Sequence, residues 1–150
     1  MTHQMFLYVS SDTCQEIYPG NSSTHFRVKL PKPIKLKNFG EWSIALMDID
    51  IPKLAEDYKP KFFVIHSSLC TPTVFQASLK PVLHRLFYTQ IKTGRPLTID
   101  NPRYVPLNTK SLDIIDLYIT DDQGLTPSFR PGSSTCTLHL SKTEPSIHTF

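Results

Sequence analysis

The chain has 150 residues, a formal charge of +3, and hydrophobic and aromatic shares of 39% and 11%. That length suits one domain able to bury roughly 68–70% of its unfolded surface without a staple, and the apolar share excludes a disordered chain. The lysines gather only loosely in 29–37 and 53–61, short of a nucleic-acid footprint, and no apolar run approaches the ~18 residues that cross a bilayer.

Thirteen prolines spread along the chain punctuate many short segments. Met5 to Val9, aromatic and branched, reads as a first strand that Ser10, Ser11 and Asp12 end. After the turn Tyr18-Pro19-Gly20-Asn21 the segment 24–30 alternates, with Phe26, Val28 and Leu30 on one side and His25, Arg27 and Lys29 on the other. Pro31 and Pro33 are expected to stop it, since neither donates to a ladder. In 40–52 Trp42, Ile44 and Leu46 share a face, but Ile49 and Ile51 carry it onward, which predicts a bulge near Ala45 to Met47. A charged connection over 53–60 leads to two or three further strands between 61 and 91, interrupted by Pro72 and Pro81. The turn Thr93-Gly94-Arg95-Pro96 and Asn101-Pro102 follow.

Residues 111–120 alternate again, with Asp113, Ile115, Leu117 and Ile119 expected inward and Leu112, Ile114, Asp116 and Tyr118 outward. Asp121-Asp122-Gln123-Gly124 supplies carboxylates for a turn and a glycine free to take positive φ. The chain re-enters a sheet at Thr135, with Cys136, Leu138 and Leu140 inward and Thr135, Thr137 and His139 outward. About eight short antiparallel strands and no long amphipathic helix indicate an all-β sandwich or barrel. Residues 1–140 form the expected domain and 141–150, with Ile147 and Phe150, a polar tail.

No nucleophile elbow, phosphate loop, zincin helix or calcium loop occurs. Asp48 and Asp50 could share a strand face but read as solvated charges, and the six histidines show no ligand spacing. Cys14, Cys70 and Cys136 cannot all pair, which favours a reducing compartment and a buried, inert Cys136. The sequon Asn21-Ser22-Ser23 reads as a polar turn. Neither catalytic residues, a metal nor a cofactor is expected. Binding or assembly through loops and strand edges remains.

Two blocks carry a family resemblance. Residues 6–52, with the Tyr18-Pro19 turn and Gly40-Glu41-Trp42, and residues 103–140, with Tyr104-Val105-Pro106 and Asp121-Asp122 before Gly124, resemble the opening and closing patterns of the penton, or minor capsid, protein of Polinton-type elements and of adintovirus-like and adomavirus-like DNA viruses. The stretch between Pro52 and Tyr104 is shorter than the family pattern. The resemblance implies a single jelly-roll β-sandwich whose homopentamers close icosahedral fivefold vertices beside a major capsid protein. It leaves open whether a fiber or spike attaches, and implies a location in the virion after assembly in the host nucleus. On that reading Phe26, Val28, Trp42, Ile44, Leu46, Ile115, Leu117, Ile119 and Leu138 form the core, with Trp42 the costliest to truncate. Tyr18, Pro19, Gly20 and Asn21, with Asp121, Asp122 and Gly124, are the expected subunit contacts. A receptor-binding or capsid-cement sandwich, marked by exposed aromatics at one loop end, is the alternative, and a jelly-roll enzyme with converging histidines and carboxylates a third.

Overall fold

Alternation sets the strands. In β1 (Gln4–Ser10) Val9 is buried and Met5 and Leu7 pack on the core, while Phe6 and Tyr8 face solvent. In β2 (His25–Lys35) Phe26 and Val28 are buried between exposed His25, Arg27 and Lys29. β3 (Glu41–Asp50) buries Ile44, Leu46 and Ile49, and β4 (Phe62–His66) is covered on both faces. A small hairpin of β5 (Thr73–Phe75) and β6 (Ser78–Lys80) precedes β7 (Val82–Phe87) and a single helical turn, α1 (Tyr88–Ile91). Two two-residue strands, β8 (Leu97–Thr98) and β9 (Val105–Pro106), lead into the long β10 (Ser111–Asp121) and β11 (Thr135–Thr143). The computed structural model describes residues 4–36, 41–91 and 95–143. Gly40, the Thr93-Gly94 part of a predicted turn, and the tail residues Ile147 and Phe150 lie outside the described residues.

Two antiparallel sheets share one core. The first, sheet A, runs β1-β11-β3-β8, with β9 also on β3; the second, sheet B, runs β2-β10-β4-β7. Buried Ile44, Leu46, Leu138 and Leu140 of sheet A and Phe26, Phe63, Ile65, Ile115, Leu117 and Ile119 of sheet B belong to a single apolar cluster. The chain is therefore all-β, with every predicted core position inside or against that cluster.

Register departs from simple alternation at the expected place and at two unexpected ones, one of them in the β4–β7 pair, where Ile65 faces His84 and His66 faces Val82. In the β3–β11 pair Thr137 faces Asp48 and Leu138 faces Leu46, so Met47 is the extra residue of the predicted bulge. The other unexpected irregularity corrects the reading of 111–114. Ile114 faces Lys29 but Leu112 faces Ile34, so Leu30 to Pro33 stand opposite Asp113 alone. Prolines there cannot complete the ladder, and across the shift Leu112 is buried in the core while Asp113 faces out and bonds Lys29. Pro31 and Pro33 do not end β2; they sit on an edge strand, where a missing N–H costs little. The last strand likewise passes its expected end at Leu140, pairing Lys142 with Trp42 and Thr143 with Glu41.

Trp42 is not the centre of the core. It is only partly buried, at the margin of the cluster, and its indole Nε1 has no partner among the described residues. Phe63 is the largest fully buried side chain, edge-on to Phe129 at 5.5 Å. Truncation of Phe63 to alanine is expected to cost about 3–5 kcal/mol and Trp42→Ala less, in midpoint shifts of urea unfolding.

Candidate functional site: the loop end and the two outer faces

The loop of residues 11–24 is built on serine and asparagine side chains. Ser11 N–H donates to the Ser134 carbonyl at 2.8 Å, Ser134 N–H returns a bond to Ser11 Oγ at 2.9 Å, and Ser134 Oγ–H bonds the Ser23 carbonyl at 2.6 Å. Cys14 at φ +60° reverses the chain, and its carbonyl accepts from Ile17 and Tyr18. Asn21 then acts as a surrogate strand. Its Nδ2 donates to the Thr13 and Arg27 carbonyls at 3.1 and 2.8 Å, and its Oδ1 accepts from Arg27 N–H at 2.9 Å. A glycan on that nitrogen would leave one N–H for two acceptors and break at least one donated bond, so the sequon is occupied structurally.

The predicted contact residues Tyr18, Pro19, Gly20 and Asn21 line a groove of about 350 Å³ together with Ile17, His25 and Arg27. Asp121, Asp122 and Gly124 lie at the same end of the sandwich, because β1, β3 and β10 all end there. Asp121 is a correction. It is buried, its Oδ1 accepts from Gln123 and Leu125 N–H, and its Oδ2 accepts from the Tyr58 hydroxyl at 2.8 Å. It organises the turn instead of meeting a neighbour, while half-buried Asp122 and Gly124, at φ +77°, stay on the surface. Burial, and then the Asp121 carboxylate, push the Tyr58 phenol well above its ordinary range.

The outer face of sheet B carries a cross-strand row that sequence patterning did not single out. His25, Tyr118 and His66 stand in register, with the His66 ring stacked on Tyr118 at 4.3 Å. His66 Nε2 bonds Thr120 Oγ1 at 3.0 Å, and its Nδ1 is buried without a partner among the described residues. Desolvation, with Lys80 adding to it, lowers His66 from 6.5 to about 4, and burial lowers His84 as well. Asp116 accepts from Ser68 N–H and Oγ–H, and Lys29 meets Asp113 at 3.0 Å. Beyond these, Arg85 lies over Phe62 and Phe87, and Phe75 of the hairpin packs edge-on against Phe62.

The outer face of sheet A is aromatic and acidic. Phe6 stacks on His139 at 4.5 Å; His139 Nε2 donates to Gln4 Oε1 at 2.9 Å and its Nδ1 accepts from the Tyr104 hydroxyl at 2.7 Å. His139 points outward as expected but is buried, because a ring from the neighbouring strand covers it. Phe6 and Tyr8 remain 59% and 71% exposed. Asp48 stands opposite Thr137 and Asp50 opposite Thr135, on the same outer side as Tyr8, which also faces Thr137. His66, His139, Asp113 and Asp116 thus serve stacking and in-chain hydrogen bonds or ion pairs. A scan against protein-family models and a search of curated proteins both find no match.

Two measurements test this construction. Asn21→Ala removes three hydrogen bonds from the loop and is expected to lower stability by about 1–3 kcal/mol in urea unfolding. The unfolded chain protonates a histidine near 6.5 while native His66 resists until about 4, so the stability contributed by neutral His66 is present above pH 6.5 and falls as pH drops from 6.5 toward 4. The loss is on the order of 3 kcal/mol. His66→Gln is expected to flatten the decline in that window, measured by unfolding midpoints from pH 7 to pH 4.

Proposed function

We propose that the chain is a viral structural protein, a penton or minor capsid subunit that assembles as a homopentamer at icosahedral fivefold vertices beside a major capsid protein. The observation that carries this reading is the nesting of the strands. The first strand pairs with the last (β1 with β11), β2 with β10, β3 with β8 and β9, and β4 with β7. A long antiparallel hairpin rolled up on itself has this order, and rolling brings β11 onto β3 and β10 onto β4. This order supports a jelly-roll reading, in which β8 and β9 share one of eight strand positions and the β5–β6 hairpin is an addition.

The resemblance of residues 6–52 and 103–140 to the penton family supports the same reading. So does the placement of exposed aromatics. A receptor-binding module would cluster them at the loop tips, whereas Phe6 and Tyr8 stand on a sheet face suited to lateral contact between subunits. Function on this reading lies in surfaces and not in a reactive centre, and the protein belongs in the virion after nuclear assembly. Light scattering of the purified chain over a concentration series is expected to show a species near five times the 17.1 kDa chain mass. A strict monomer at every concentration refutes self-assembly.

A further inference from the structure

We infer that the acidic outer face of sheet A in one copy of the chain seats on the basic outer face of sheet B in the next, so that copies join head to tail. This rests on the capsomer reading and names the two surfaces that would meet in it.

The charges are sorted by face. Counting by alternation from the buried positions, the ionised side chains that β1, β3 and β11 turn outward are Glu41, Asp48 and Asp50; Lys142, opposite Trp42, is on the inner side and buried. Sheet B shows Arg27, Lys29 and Lys35 on β2 and Arg85 on β7, with Lys80 of the hairpin beside His66. Of these, Lys29 is offset by its ion pair with Asp113, and Asp116, hydrogen-bonded to Ser68, keeps its negative charge, so Arg27, Lys35, Arg85 and Lys80 leave the face net positive. One face is therefore negative and the other positive.

That sorting decides the symmetry of association. A two-fold contact would set sheet A against its own copy, bringing Asp48 and Asp50 onto like charges, and the same repulsion would act between two sheet B faces. A heterologous contact opposes unlike charges at every joint, and it closes into a ring when the rotation per copy allows. Each face also holds an apolar feature. Tyr8 projects from sheet A in the register row of Asp48 and Phe6 in the next outward row, with His139 and Ala45, and Ile17, Tyr18 and Pro19 wall the groove beside His25 and Arg27 on the sheet B side. An aromatic ring entering that groove would meet the Arg27 guanidinium, an attractive cation–π pairing.

The test is charge reversal with compensation on the full chain. Asp48→Lys with Asp50→Lys, and separately Arg27→Glu with Lys35→Glu, are each expected to weaken association by about tenfold or more in light scattering. The chain carrying all four changes is expected to regain the wild-type mass, since its faces are again complementary, and its recovery shows that the substitutions permit folding. Carbodiimide coupling of mixed light and heavy-isotope wild-type chains is expected to link Asp48 or Asp50 of one copy to Lys29, Lys35 or Lys80 of another. Paired reversals that assemble as the wild type, or a folded four-fold variant that stays dissociated, overturn the assignment of faces while the capsomer reading stands. A wild-type chain that is monomeric at every concentration overturns both.

Discussion

The antiparallel pairing of β10 and β11 with the first half of the chain is the constraint on which the rest of the molecule depends. β11 lies between β1 and β3, and β10 lies between β2 and β4, so no two of the first four strands are neighbours in a sheet. Both sheets therefore wait for residues 111–143. Contacts of such sequence separation carry a large loop-closure cost before they return any burial, which places the chain among slow-folding β topologies. The connection from β10 to β11 has to be well defined for the same reason. Asp121 fixes its start through two backbone N–H groups and Tyr58, and Ser134 fixes its end through Ser11 and Ser23. The Ser134 knot also ties down the loop of residues 11–24, and with it the groove at Tyr18 to Asn21.

The amino-acid pattern revealed those parts of the fold that repeat every two residues. Phe26 and Val28, Ile115 through Ile119, and Cys136 through Leu140 lie inward as alternation requires, and the slip at Met47 marks a bulge because the apolar positions change parity there. Asp113 carried no such mark. The irregularity opposite it lies on another strand, at Leu30 to Pro33, and becomes visible only when the pairing of β2 with β10 is known. Phe63 was hidden for a related reason. In the run Phe62-Phe63-Val64-Ile65-His66 every residue but the first is buried, so periodicity offers no face to choose. For the candidate surfaces, Tyr18 to Asn21 could be found because turn residues punctuate the chain. Buried Asp121 and His139 could not be told from exposed ones, since their cover comes from Tyr58 in one case and Phe6 in the other.

Each outer face holds a histidine against an aromatic ring, His139 under Phe6 and His66 against Tyr118. His139 has both ring nitrogens hydrogen-bonded, and His66 has one, so the imidazoles are fixed platforms for the rings stacked on them. An aromatic side chain already held in one orientation loses less rotamer freedom when a second surface covers it. This gives the polar groups of the outer faces a physical role that does not require chemistry at a reactive centre.

Strand edges make a separate argument about assembly. β2 presents Lys29, Lys32 and Lys35 with Pro31 and Pro33, β7 follows Pro81 and carries Arg85, and β8 has only two residues after Arg95 and Pro96. Charges, prolines and short length at these edges are devices that block pairing with foreign strands. β1, with the sequence Gln-Met-Phe-Leu-Tyr-Val-Ser, has none of them: seven residues of edge strand with neither a charge nor a proline. The same strand displays Phe6 and Tyr8. An edge left bare in a lone chain invites aggregation, but an edge beneath the next subunit in a ring needs no guard, and a charge or proline there would interrupt the contact. Among the described residues the unguarded edge and the exposed aromatic face thus coincide on β1, and a neighbour seated there, as in the proposed head-to-tail assembly, would cover both.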